Sequence, residues 1–279
     1  PGRTRVLIDP RTLDVVTPGP RRNSAIRVVR RIHENLMSGR TGRALVGWMG
    51  LAALLLGVSG LILWWPRGGG LPGWKAALSI RWSAKGLLFH RDLHAAVGFW
   101  SLTVFLVVSF TGIYLVFPDA TRSVIMAVTP APDRGEAAAS RAEPGIDGRP
   151  LGLDGAVALA LEKIPGSRFR QARLPARPGR PIRIRLVRSG HQRGEPAITA
   201  LVDPQRRSLS AVFDPRDFSL GERIIVWQRA LHAGLGLGWT WRTLVFLSGL
   251  LPALFAVTGV AMWWIKRRQG PQIAARRGE

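Results

Sequence analysis

The chain has 279 residues, 47% of them hydrophobic, and no cysteine, which excludes disulfides, thiolate-held zinc or iron-sulfur centres and cysteine nucleophiles. Its 40 basic and 17 acidic residues give a formal charge of +23. The basic residues are scattered through polar segments without a nucleic-acid-binding motif. We therefore attribute the charge to membrane topology and anionic lipid, and we expect no nucleic-acid partner.

Three long apolar runs predict membrane helices. Residues 44–65 and 243–264 hold 22 residues each without a charge, and residues 93–117 hold 25 with a single histidine. At about 1.5 Å per residue, each run is long enough to cross the roughly 30 Å hydrocarbon layer of a bilayer. The sequence therefore predicts an α-helical membrane protein with three transmembrane helices.

Charge in the short loops predicts the topology. Residues 66–89 carry four basic residues and no acid, and the tail after residue 265 carries five basic residues and one acid. The positive-inside rule places both in the cytoplasm, so that residues 118–222 lie outside. In this outer segment a short amphipathic helix and four strand-like runs predict a small α+β module. The predicted helix is 152–164, and the predicted strands are 168–174, 182–187, 197–202 and 208–213.

An internal repeat relates the first and last membrane segments. His33 stands 31 residues before Trp64, and His232 stands 31 residues before Trp263. We therefore expect the end of one unit followed by a complete second unit, made of helix, outer module, histidine-bearing segment and helix. In this interpretation the opening helix of the first unit is missing. The same register matches Arg43 with Arg242, Leu45 with Leu244, Gly60 with Gly259 and Trp64-Trp65 with Trp263-Trp264, whereas LIDP at 7–10 matches LVDP at 201–204 with an offset of five residues.

Several motifs together resemble a known family. They are HRDLHAAVGFW at 90–100, the RRIHENLMSGRTGRALVGW and WQRALHAGLGLGW segments, the SG or TG and WW pairs of the helix ends, and the LVDP-containing module. In these motifs the chain resembles the PepSY-associated transmembrane proteins, often called iron-regulated membrane proteins, which include ferric-siderophore reductases of the bacterial inner membrane. The resemblance implies a multi-pass core of four helices, periplasmic PepSY modules and two haems b held between helices. The first helix, with the histidine that the family carries there, is expected to be absent from this chain.

With this resemblance, the pattern divides the chain into nine segments. They are a remnant of a first PepSY-like module with the His33 segment (1–42), a transmembrane helix (43–66), a cytoplasmic loop (67–89), a second transmembrane helix (90–117), a linker (118–150), a periplasmic PepSY-like module (151–215), the His232 segment (216–242), a third transmembrane helix (243–265) and a cytoplasmic tail (266–279).

The histidines are the candidate haem ligands, because low-spin haem takes one neutral imidazole on each face of the iron and needs no cysteine. His33 and His232 occupy matching positions in the two units and are the predicted pair for an outer haem. His94 is the first candidate for an inner haem, with its partner outside this chain. His90, one turn earlier on the same face, could ligate a second haem, replace His94 or contact a propionate. His191, in the turn SGHQRG, is expected to be solvated.

The geometry of His33 and His232 requires a helix break. A straight helix would carry His33 about 16 Å beyond the start of the apolar run. We expect glycines to turn the chain back, at Gly39 and Gly42 in one copy and at Gly234, Gly236 and Gly238 in the other. Two arginines in matching positions, Arg43 and Arg242, are candidates to pair with haem propionates or to anchor their helices to lipid headgroups.

These residues predict a haem protein that moves electrons across the membrane to a ferric chelate such as a siderophore on the periplasmic side, from a donor that the sequence does not name. No side chain is assigned as a catalytic residue. One alternative is a membrane-anchored PepSY binding or regulatory module without redox activity. Another is a zinc site at His90 and His94 with Asp92 or Glu34 nearby, although the HExxH pattern is absent. A transporter is less favoured, because we expect no carboxylate within a membrane helix.

Overall fold

In the computed structural model the described residues are 7–9, 11–12, 14–16, 25–66, 68, 70–129, 150–175 and 180–277, with the backbone alone from residue 270 onward. They belong to two compact units, Pro1–Met49 and Gly50–Glu279, each of which is considered by itself.

The first unit contains a short hairpin and a helical corner. The hairpin pairs β1, Leu7–Ile8, with β2, Val15–Val16. Helix α1 spans Ala25–Asn35, and helix α2, Gly39–Trp64, begins at a glycine with φ of +59° and continues into the second unit. A side chain at Gly42 would overlap the carbonyl oxygen of Asn35, so only glycine lets α2 pass this close to the end of α1. The predicted break at Gly39 is confirmed.

Among the described residues, three helical segments are long and apolar enough to cross a membrane, and this confirms the predicted number of spans. They are Gly39–Trp64, Gly86–Val116 and Gly238–Gln269. The second span, α4, begins at Gly86, two turns before the apolar run predicted from residue 93, so that it also carries His90 and Asp92. A carboxylate therefore lies within a candidate membrane helix, contrary to the sequence-based expectation.

The third span is interrupted in its first half, at Gly249 and Leu250. Helix α8 ends at Ser248 and helix α9 begins at Leu251, and their bounds are Gly238–Ser248 and Leu251–Arg277. The break precedes Pro252, which has no N–H to donate to the carbonyl of Ser248. Ala53 stands at the matching position of the first copy, where α2 runs without a break from Gly39 to Trp64.

Two shorter helices lie in segments that were predicted as a loop and a linker. Helix α3 lies between the first two spans, and helix α5 directly follows α4. The indole N–H of Trp64 donates to the carbonyl of Ala77 in α3 at 3.1 Å, and this bond ties α3 to the end of the first span. The bounds are Gly70–Leu78 for α3 and Pro118–Val128 for α5.

The outer module is one helix on a four-stranded antiparallel sheet in the order β3-β4-β5-β6. In β4 the residues Ile182, Ile184 and Leu186 are buried, because alternate side chains face the helix. Every predicted element of the module is present within two residues of its expected ends. The bounds are α6 Leu153–Lys163, β3 Ser167–Arg173, β4 Ile182–Arg188, β5 Ile198–Asp203 and β6 Ser208–Phe213.

The hairpins of the two units have the same kind of turn, as the repeat of LIDP and LVDP predicts. Asp9 accepts the N–H of Arg11 at 2.8 Å, and Asp203 accepts the N–H of Gln205 at 2.8 Å. The same aspartate therefore fixes the same tight turn in both copies, through a side-chain bond to the backbone two residues on.

Helix α7 spans Leu220–His232 and leads the chain from the module to the third span. Its first turn is closed by reciprocal hydrogen bonds between Ser219 and Glu222, which form a capping box. Helix α4 packs against α7, α8 and α9 and is the centre of the helical part of the second unit.

Candidate functional site

Helix α4 has a candidate histidine site near each of its ends. His94 projects from its first third, and His232, at the end of α7, contacts its last two turns. Seventeen residues separate His94 from Thr111 along α4, an axial rise of about 26 Å. The two imidazoles therefore lie at well-separated levels of one membrane-spanning helix.

His94 is held by the third span. Its Nδ1 lies 2.7 Å from the hydroxyl oxygen of Thr258, and its ring packs 4.9 Å from the ring of Phe255. The single hydroxyl proton of Thr258, which is 3% exposed, is directed to the carbonyl oxygen of Leu254 at 2.8 Å. The Thr258 oxygen is then the acceptor for an N–H on His94 Nδ1, and in the neutral form of this imidazole the lone pair is on Nε2.

His232 has the same kind of partner at the other end of α4. Its Nδ1 lies 3.1 Å from the Thr111 hydroxyl and 3.1 Å from the carbonyl oxygen of Val108. A carbonyl can only accept, so Nδ1 carries a proton, and in the neutral form of this imidazole the lone pair is on Nε2. Thr111 is 1% exposed and bonds back to the carbonyl of Val107 at 2.8 Å. Each histidine therefore donates to a buried threonine that is fixed to its own helix.

Glycines bring His232 to this position. Helix α7 ends at His232, and Gly234, Gly236 and Gly238 follow with φ of +66°, +86° and +78°. A side chain at Gly236 would overlap the indole ring of Trp227, so the turn closes directly onto α7. The predicted break at these three glycines is confirmed.

Glycine also allows α4 to approach the His232 ring. A Cβ atom at Gly112 would lie 3.1 Å from its Cε1 atom, closer than an ordinary van der Waals contact.

His90 and Asp92 have different surroundings from His94. The Nδ1 atom of His90 is buried and has no hydrogen-bond partner within the described part of the chain. Asp92 is 6% exposed and receives two hydrogen bonds from Arg81, at 2.6 and 2.9 Å, and two longer ones from Arg91, at 3.2 and 3.4 Å. The described residues contain no group of three or more histidines and carboxylates that could hold a metal ion.

The other predicted site residues stay predictions. His33 is an exposed residue of α1, and Arg43 is an exposed residue near the start of α2, both in the first unit. The proposed pairing of His33 with His232 is therefore not tested. Arg242 is exposed and stacks over the ring of Trp239 at 5.6 Å. This position is compatible with both of its predicted roles.

The prediction that His191 is solvated is wrong. Its side chain is 13% exposed, its Nε2 accepts a hydrogen bond from Arg170 at 2.8 Å, and its Nδ1 lies 3.5 Å from Glu195. Burial lowers the pKa of His191, Glu195 opposes this shift and Arg170 adds to it. A side chain in a turn is expected to face water. The His191 side chain is instead largely buried, because it contacts Arg170 of the neighbouring strand β3.

His191 lines a cleft of about 530 Å³ between the turn after β4 and helix α7. Across one side of the cleft, Arg188 and Asp214 form an ion pair at 2.7 Å. Burial alone would raise the pKa of Asp214, but hydrogen bonds from Arg188 and from the Arg216 N–H outweigh burial and lower it. The same bond raises the pKa of Arg188. The pair is therefore charged on both sides at neutral pH.

The family model of the PepSY-associated TM region matches residues 1–266. The chain belongs to this family. It is also similar to the uncharacterized protein PA4219 of Pseudomonas aeruginosa, with 28% identity over 285 residues, covering 90% of this chain. The chain spans 66% of the length of that relative.

For this PepSY-associated chain the sequence-based reasoning missed the two threonines that hold the histidines. A signal for them exists, because Thr111 and Thr258 each precede a glycine, Gly112 and Gly259, within an apolar helix. The TG pair of the third span contributes to the family resemblance, but no hydrogen-bonding role is predicted for its threonine. In both helices the threonine is the buried partner of a histidine from a different helix.

Proposed function

We propose that this PepSY-associated chain is a haem b protein of the bacterial inner membrane, which moves electrons across the membrane and reduces a ferric chelate such as a siderophore on the periplasmic side. One observation carries the proposal. His94 and His232 contact different levels of α4 and its neighbours, and the Nδ1 atom of each imidazole lies within hydrogen-bond distance of a buried threonine hydroxyl.

This arrangement fits the requirements of haem iron. An axial imidazole coordinates through one nitrogen, and its other N–H normally donates to an oxygen that fixes the tautomer and the ring orientation. Thr258 and Thr111 would supply that oxygen, so that Nε2 of each histidine would be the atom that coordinates a bound haem. In this proposal a histidine of another helix completes each site, with His33 as the expected partner of His232.

The bound haem would supply one-electron chemistry, and the chain supplies its ligands, orientation and surroundings. The threonines fix the two imidazole planes against α4 and α9. The apolar side chains of the spans form a low-dielectric sheath that excludes water. At the outer end, His232 lies where α7 joins the module to the membrane, which gives electrons an exit toward the periplasm. The donor acts from the cytoplasmic or quinone side.

An optical spectrum tests the proposal directly. Protein purified in detergent from cells supplied with haem should show a Soret band, and dithionite should produce the α band of a low-spin b-type haem. A pyridine haemochrome assay gives the haem content per chain. His232→Ala and His94→Ala should each remove part of this signal, whereas Thr103→Ala, at an exposed position of α4, should not.

Two results would contradict the proposal. One is a colourless wild-type protein, which would instead favour a membrane-anchored PepSY binding module without redox activity. The other is an unchanged spectrum in both histidine variants, which would place any bound haem on other residues.

A further inference from the structure

We propose that the cleft beside His191 binds a small organic anion that carries carboxylates. The cleft of about 530 Å³ has the size of a small-molecule site, for which volumes of roughly 300–1,000 Å³ are usual. One wall is the turn after β4 with the start of β5, and the other is the first half of α7 with the residues before it. Its place in the fold is therefore the junction between the outer module and the helix that ends at His232.

The charges of the lining favour an anion. Arg188, Arg216 and Arg223 line the cleft, against the two carboxylates of Asp214 and Glu195. Asp214 is occupied by Arg188 at 2.7 Å, and Glu195 accepts the N–H of Gln192 at 2.9 Å. Arg216 and Arg223 are exposed at the cleft, and planar guanidinium groups bind carboxylates through paired hydrogen bonds.

The α7 wall of the cleft also carries an aromatic side chain. Trp227 lines the cleft, and Gly236 lies against its ring, so that a side chain at Gly236 would overlap it. Arg223 donates from Nη2 to the carbonyl oxygen of Arg216 at 3.1 Å, so the two exposed arginines are positioned relative to each other. A ligand with a planar or apolar part and acidic groups at one end would match both features.

The opposite wall is connected to the turn that positions His232. The N–H of Gly236 donates to the carbonyl oxygen of Arg193 at 3.1 Å, and a side chain at Gly194 would overlap Leu235. Along α7, Trp227 precedes His232 by five residues, an axial rise of about 7.5 Å. A ligand in the cleft would therefore lie close to the outer histidine.

The identity of this anion as the ferric chelate that is reduced rests on the proposed function. Ferric ions are held by anionic oxygen donors, so their chelates present carboxylates or related groups of the kind that this cleft would receive. The binding of a carboxylate in the cleft does not itself depend on haem.

Binding of citrate to the purified chain in phosphatidylcholine nanodiscs tests the proposal by isothermal titration calorimetry. The wild type should bind one citrate, and binding should weaken as salt is raised. Arg216→Gln with Arg223→Gln should weaken the affinity about tenfold or more, because charge-assisted hydrogen bonds are lost. The matched control is Arg229→Gln, an exposed arginine of the same helix that does not line the cleft, and its effect should stay within about twofold.

Further variants keep the test decisive if the double variant does not fold. Arg223→Lys keeps the charge without the planar fork and should give an intermediate loss, and Trp227→Leu should weaken an aromatic carboxylate, benzoate, more than citrate. No citrate binding to the wild type, or equal affinity in the double variant, would overturn the site. Binding that disappears in phosphatidylglycerol nanodiscs would also overturn it, since the cleft would then hold a lipid headgroup.

The haem spectrum of the same samples separates this proposal from the proposed function. Citrate binding with no Soret band supports the cleft and contradicts the haem protein. A normal haem spectrum without citrate binding supports the haem protein and contradicts the cleft.

Discussion

The hydroxyl oxygen of Thr258 lies 2.7 Å from Nδ1 of His94, and both residues are in candidate membrane helices. At the other end of α4 the hydroxyl oxygen of Thr111 lies 3.1 Å from Nδ1 of His232. In each case the threonine donates its own proton to a carbonyl of its own helix. Two histidines from different parts of the chain therefore make the same hydrogen bond, from Nδ1 to a buried threonine hydroxyl.

Thr258→Val should weaken haem binding at the His94 site. Valine has nearly the same shape but leaves the His94 N–H without an acceptor, and loss of such an outer partner typically costs about 10- to 100-fold in metal affinity. Titration of the haem-free protein with haem, followed by the Soret band, measures this effect. Thr258→Ser, which keeps the hydroxyl, should restore the affinity, and Thr103→Val is the control on the exposed side of α4. Equal affinity in Thr258→Val would show that the hydroxyl has no such role.

The turn after His232 should tolerate a methyl group at Gly238 better than at Gly236. Both have φ near +80°, so alanine would be strained by about 1–3 kcal/mol at either position. At Gly236 the new Cβ also meets the ring of Trp227, whereas Gly238 has nothing within 4 Å. Gly236→Ala should therefore lower the Tm more than Gly238→Ala and should reduce the haem signal of His232. Equal melting temperatures would mean that the contact with Trp227 contributes nothing.

Local patterns explain which parts of the fold could be predicted from the sequence. Hydropathy over about 20 residues identified the three spans, and alternation in the module identified its strands, because each signal is contained within its own element. The helix breaks at Gly39 and Gly234 followed from the conformational freedom of glycine. The break before Pro252 has an equally local cause in the missing N–H, but the apolar run was interpreted as one helix.

Contacts between distant residues explain what could not be predicted. His94 and Thr258 are 164 positions apart, and only the packing of α9 against α4 brings them together. The contact of His191 with Arg170 likewise depends on the pairing of β3 with β4, 21 positions apart. The sequence ranked His94 before His90 as a candidate ligand, but the hydroxyl that contacts His94 is visible only in the fold.

Arg81 should stabilise the start of α4 more than Arg91 does. Arg81 makes two short hydrogen bonds to the buried carboxylate of Asp92, whereas the bonds from Arg91 are 3.2 and 3.4 Å long. Thermal unfolding in one detergent should therefore show a larger fall in Tm for Arg81→Gln than for Arg91→Gln. In an Asp92→Asn background the difference should shrink, because the charged acceptor is gone. A difference that persists in that background would assign the effect of Arg81 to contacts other than Asp92.

Acid should loosen the outer module through His191. Its Nε2 accepts a hydrogen bond from Arg170, so the neutral imidazole is the bound form, and burial is the main reason that its pKa is lowered in the fold. A histidine with a lowered pKa contributes its full stability above the unfolded value of about 6.5, and this contribution falls as the pH drops from there through the folded pKa. Hydrogen exchange of residues 189–197 should therefore speed up between neutral and mildly acidic pH. In His191→Gln, whose side-chain oxygen can still accept from Arg170, the exchange of this segment should lose most of its pH dependence beyond the intrinsic rate. If the variant and the wild type respond equally to acid, the titrating group is not His191.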